Sequence, residues 1–152
     1  METKTNIPTI EEIKKYLEEY GWKFRETTSD GKLVIISPYT LEKEMKGVLV
    51  SFKIEGEFVM VSTVGFMKNV SKDFSRNLLA INDHIKLVKI FTTNNDKDND
   101  FDAELGFELW NESWNKETFF AFMDMLALGI EKTIEIISNE DIPHQTDFIT
   151  YS

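Results

Sequence analysis

The chain has 152 residues, of which 41% are apolar and 12% aromatic, enough to close one core without crosslinks. Twenty-seven acidic against seventeen basic residues give a net charge of −10. That charge opposes binding to nucleic-acid phosphates or to anionic lipid. The absence of Cys excludes disulfides, thiolate catalysis, Cys-ligated zinc and iron–sulfur clusters.

Met1–Asn6 carries no apolar run of the kind a signal peptide needs, so a soluble, cytoplasmic domain is expected. The charge is unevenly placed. Residues 1–93 hold fourteen basic and thirteen acidic residues, and residues 94–152 hold three and fourteen. Within the second part, seven acids between Asn94 and Glu112 face Lys97 alone. Such a block reads as a solvated face or as a surface for a partner.

Thr9 and Glu12 form a capping box ahead of Ile10, Ile13, Leu17 and Tyr20, which recur at helical spacing, and Gly21 suits a left-handed end. A helix over 10–20 follows. Trp22–Thr27 alternates as a strand, and Ser29-Asp30-Gly31 signals a hairpin. Leu33–Ser37 is a second strand that Pro38 stops, with a loop over Tyr39–Lys46. Val48–Ile54 and Phe58–Phe66 make two more, joined at Glu55-Gly56-Glu57. Apolar residues on both sides of Phe58–Phe66 predict that both faces of that strand are covered, by helices or by a second subunit.

Ser71 caps a second helix over 72–84, with Phe74, Leu78, Ile81 and Ile85 along one stripe. Leu87–Phe91 and Phe101–Trp110 are strands, the latter alternating without fault. Asn115 caps a third helix over 116–138. The order α-β-β-β-β-α-β-β-α predicts one α+β domain over 1–138 with an antiparallel sheet. A C-terminal tail over 139–152 is left loose or laid down as an extended strap.

No motif points to catalysis. From Asp96 to Asp100 the oxygen ligands match a calcium loop, but Phe101 stands where Gly is needed and Phe107 where the bidentate Glu belongs. A hairpin tip is the better reading. His84 and His144 are sixty residues apart with no metal-ligand spacing around them, and no phosphate loop or nucleophile elbow occurs. No metal, cofactor or catalytic residue is therefore expected. Glu104 and Glu108 are about 13 Å apart along a strand, beyond the separation that paired glycosidase carboxylates use. Asp102, Glu104 and Glu108, ending in Trp110, read as solvated surface or as a contact face for a basic or amphipathic partner, with Trp110 as its anchor.

The third helix is apolar beyond one face. Phe119, Phe122, Met123, Leu126, Ile130, Ile134 and Ile137 make the core stripe, while Phe120, Met125, Ala127 and Leu128 extend it. Either the chain wraps this helix itself or another subunit covers a face, with Gly129 permitting close approach.

The succession of elements resembles the type III secretion chaperone-like fold. Within it the likeness is to the YbjN family of proposed bacterial sensory-transduction regulators. It is carried by Ile10–Gly21 with Trp22-Lys23-Phe24, by Asp30-Gly31-Lys32-Leu33, and by Leu78-Leu79-Ala80-Ile81-Asn82 leading into Val88-Lys89-Ile90. Glu104-Leu105-Gly106-Phe107-Glu108-Leu109 and the last helix complete it, so that it spans about residues 10–138. The resemblance implies a non-enzymatic protein that binds another protein, or an unfolded segment of one, as a small acidic homodimer. It places the dimer contact at the middle helix and its neighbouring strand. Phe74, Leu78 and Leu87 are the contributors it suggests, beside Phe120, Met125 and Leu128 of the third helix. Two other classes stay open: an acidic immunity or inhibitor protein covering a basic partner, and an enzyme or small-ligand binder with an unrecognised site.

Overall fold

Helix α1 spans Ile10–Tyr20, and the Thr9 hydroxyl accepts from the Glu12 N–H as the capping box requires. Gly21 ends it in the left-handed region at φ 91°. The computed structural model describes residues 7–93 and 100–151. The calcium-like stretch at Asp96–Asn99 lies outside them.

Among the described residues eight strands form one antiparallel sheet: β1 Arg25–Ser29, β2 Lys32–Thr40, β3 Lys46–Glu55, β4 Phe58–Val64, β5 Met67–Ser71, β6 Lys89–Thr93, β7 Asp100–Trp110 and β8 Ile149–Thr150. The first four form a meander, and Asp30-Gly31 makes its first turn with both φ positive, the pairing a two-residue hairpin favours. The long β7 pairs with β4 over Gly106–Trp110 and with β5 over Asp100–Ala103, while β6 lies along its other side. Helix α2, Ser75–Ile81, is flanked by 3-10 turns that fill out 72–84, and α3 runs from Lys116 to Asn139.

Three expectations need correction. Pro38 does not stop β2. Beyond Ile36 that strand has no β1 partner, and a proline is tolerated on such an edge. The first strand begins three residues later than Trp22, whose ring instead packs against Tyr20, Tyr39 and Phe52. A fifth strand, β5, lies ahead of the second helix where none is expected: the chain breaks at Gly65 and resumes pairing with β7, so the order is α-β-β-β-β-β-α-β-β-α-β.

Helices α1, α2 and α3 pack on one face of the sheet. Ile35, Val50, Phe52, Val61, Leu105 and Phe107 point into that layer and are buried. The breadth of α3 is largely covered by its own chain. Phe120 packs on Tyr16 and Tyr20, and Phe122 on Phe107. Gly129 lets Val88 approach so closely that a Cβ there would stand 2.9 Å from its methyl. Close packing at Gly129 thus serves the chain itself.

Asn82 holds β6 in place. Its side-chain oxygen accepts the Ile90 N–H at 2.8 Å, and its amide donates to the Ile90 carbonyl at 3.4 Å. One side chain thereby satisfies the outward pair of an edge residue, as a neighbouring strand would. Asn82→Ala should cost about 1–3 kcal/mol, because two buried backbone groups lose their partner. Urea unfolding checks this as a lower midpoint at unchanged slope, with Asn82→Asp recovering only part of the loss.

Candidate functional site

Strand alternation sets the character of the face that the helices leave uncovered. Opposite the core residues of β2, β3, β4 and β7 stand Ile36, Leu49, Met60 and Val64, with Phe58 and Trp110 at one corner. Phe58 and Trp110 are each 44% exposed and Val64 41%. Ser51, Ser62 and Gly106 lie in one row across the centre and leave it low, flanked by apolar side chains. Gly106 has no room for a side chain, since a Cβ would stand 2.4 Å from the Val61 carbonyl oxygen. Charges on this face are of both signs: Lys53, Lys89, Glu55 and Glu108. Lys89 and Glu108 pair at 2.8 Å across β6 and β7. The expectation that both faces of β4 are covered is therefore met on one face only within this chain.

The four residues Asp102, Glu104, Glu108 and Trp110 share β7 but not an environment. Glu108 and Trp110 lie on the open face, the Trp110 indole donating to Glu57 at 3.4 Å. Glu104 is turned into the break between β4 and β5. Its carboxylate accepts from the Thr63 hydroxyl at 2.7 Å and from the Gly65 and Phe66 N–H groups at 3.0 Å each. Asp102 accepts from the N–H of Asn69, a residue at positive φ inside the β5 bulge. These two acids complete irregular backbone, a role that spacing along β7 does not signal. Burial pushes the Glu104 carboxyl up from its ordinary value. The bonds from Thr63, Phe66 and Gly65 offset part of that rise, and Asp102 adds to it.

Of the suggested dimer contacts, Leu78 is only 2% exposed and belongs to the core, and Phe74, Phe120 and Met125 are half-buried against their own chain. Leu87 and Leu128 stand out in solvent, and Leu87 does so at φ 64°, a conformation costly for a branched side chain. His84 is exposed at the end of the 3-10 turn that follows α2. His144 is half-buried, its Nδ1 2.8 Å from the Ile142 carbonyl oxygen.

A second concavity, a groove of about 930 Å³, runs along the other flank of the molecule between α3 and the loop after β2. A smaller one of about 430 Å³ continues it toward the tail, sharing Glu44, Ile134 and Ser138. The tail itself is strapped down. Lys68 and Gln145 exchange two backbone hydrogen bonds, the Asp147 N–H reaches the Gly65 carbonyl at 2.8 Å, and β8 pairs with the start of β3. Among the described residues no group of three His, Asp or Glu is placed to hold a metal, and no helix is long and apolar enough to cross a membrane.

No family model matches the sequence, and no curated protein matches it. Among solved structures it is similar to YbjN from E. coli, a proposed transcription regulator, with a TM-score of 0.69 over 94% of this chain and 100% of that one. Identity is 19%, so the likeness shows a shared fold. The α+β architecture expected from the order of elements is the one observed.

Glu104 yields a signed pH dependence. A carboxyl whose folded pKa is raised favours the folded state most when protonated. Its contribution is fully present below the unfolded value, about 4.3, and is lost as pH rises through the folded one. Glu104→Gln presents an amide N–H to the Gly65 N–H and should cost about 1–3 kcal/mol at pH 7. The deficit should widen as pH falls toward 4, because only the wild type takes up the stabilising proton. Paired urea titrations between pH 7 and pH 4 measure it, and a constant difference would mean that the Glu104 pKa is unshifted.

Proposed function

We propose that this chain is a non-enzymatic, cytoplasmic protein-binding module that works as a small acidic homodimer, with the helix-free sheet face as the contact between copies. The observation that carries the reading is that face: six apolar side chains, three of them more than two-fifths exposed, around a low centre of Ser51, Ser62 and Gly106. Exposed apolar area of this kind marks interaction surfaces. Its charges suit a second copy, because they are balanced within the face, Lys53 pairing with Glu55 at 3.4 Å and Lys89 with Glu108 at 2.8 Å, so two such faces meet without net repulsion across a two-fold axis. A specific dimer buries about 800 Å² per partner, and a face five strands wide is on that scale. The fold shared with YbjN, itself a proposed regulator, supports binding over catalysis.

Light scattering across a dilution series should return twice the chain mass at high concentration and the chain mass at low. Met60→Lys and Val64→Lys, which place charge on the middle of the face, should give monomer at every concentration with an unchanged far-UV spectrum. Leu128→Lys, on the opposite flank, should leave the dimer intact. A wild-type monomer throughout, or a dimer lost only with Leu128→Lys, would overturn the assignment of this face.

A further inference from the structure

The groove along α3 differs in chemistry from the sheet face. From Asp124 to Ser138 it is about 21 Å long at the helical rise. Ala127, Leu128 and Ile134 supply its apolar surface above the buried Leu41, and Leu128 is 62% exposed there. Glu42, Glu44, Asp124, Glu131 and Glu135 line it, against Lys43 and Lys132. Five carboxylates over two lysines leave a strip of negative potential beside exposed aliphatic carbon.

The walls are fixed in advance. Glu131 accepts from the Tyr39 hydroxyl at 3.1 Å and from the Glu42 N–H at 3.3 Å, which ties the loop to the helix. Asp124 accepts from the Tyr20 hydroxyl. At its far end the loop closes through the Leu41 N–H on the Lys46 carbonyl at 2.9 Å, and the Tyr151 N–H holds the Met45 carbonyl. A rim already ordered costs little more to order on binding.

We propose that this groove docks a short basic amphipathic helix of a partner protein, one with Lys or Arg along one side and aliphatic side chains along the other. The proposal rests on the protein-binding reading above and names the partner's chemistry. Charge complementarity selects it. Nucleic acid and anionic ligands meet five carboxylates and are repelled, whereas a segment with cations along one side and aliphatic carbon on the other satisfies both walls. Length argues the same way, since an open trough of about 21 Å suits a chain segment better than a compact metabolite.

The probe is a fluorescein-labelled fourteen-residue peptide of Leu and Lys at helical spacing, with its Leu/Glu counterpart as control, followed by anisotropy against the full chain. The Lys peptide should bind at low salt and weaken as salt rises, and the Glu peptide should not bind. Glu44→Lys with Glu135→Lys should weaken binding about tenfold, equal to ~1.4 kcal/mol. Leu128→Asp should weaken it as well. Glu18→Lys with Asp83→Lys, the same change in net charge at exposed positions that line neither the groove nor the open sheet face, should leave affinity within about twofold. Equal losses from the two charge-reversed pairs would show attraction by net charge alone and overturn the groove, as would binding of the Leu/Glu peptide or no binding at all. Light scattering on the same samples separates the two readings: a dimer that ignores the peptide removes the groove alone, and a monomer that binds it removes the dimer alone.

Discussion

Three donors converge on the Glu104 carboxylate: the Thr63 hydroxyl and the N–H groups of Gly65 and Phe66. The arrangement of the sheet rests on that cluster. At Val64 the chain leaves β3, turns at Gly65 with φ 69°, and resumes beside β7 as β5. Backbone groups that leave a ladder inside a protein need other partners. A single acid reaching across from β7 supplies them, at the cost of burying a charge, and the raised pKa records that cost. Asp102 repeats the device one bulge further on.

The break has consequences beyond its own residues. With β4 gone from the first residues of β3, that stretch is open, and β8 fills it through Lys46 and Gly47. The tail finds room because Gly47 and Gly65 lack side chains. A Cβ at Gly47 would meet the Tyr151 hydroxyl, and one at Gly65 would meet Asp147. The strap in turn holds the loop after β2, which forms one wall of the acidic groove. A carboxylate in the sheet thereby positions, through backbone pairing, a surface on the far flank of the molecule.

The two candidate surfaces divide the chemistry of the chain. Helices cover one side of the sheet, so apolar alternation on the other side is left in water, with charges of both signs around it. Part of the acidic surplus of the second half appears on the outer side of α3, at Asp124, Glu131 and Glu135. Mixed charge beside apolar area favours like meeting like. One-signed charge beside apolar area favours an opposite partner.

Local chemistry legible in the chain determined the elements: the Thr9–Glu12 box, the Asp30-Gly31 turn, the flawless alternation of β7, and the cap at Asn115 are short-range and carry their own physical cause. The sequence also showed the charge imbalance and the absence of thiol chemistry, both properties of composition. What lies between distant residues was decided only by tertiary structure. The acids of β7 read as an exposed ladder, because alternation gives a side chain's face and not the strand break that its carboxylate meets forty residues away. The breadth of α3 read equally well as a subunit contact or as a wrapped core. Phe120 settling on α1 and Val88 settling on Gly129 made it the latter over most of its surface. β5 is not legible in the sequence because a five-residue strand with a bulge at Asn69 has no clean period. It exists because β7, thirty residues further on, is long enough to pair with two strands in succession.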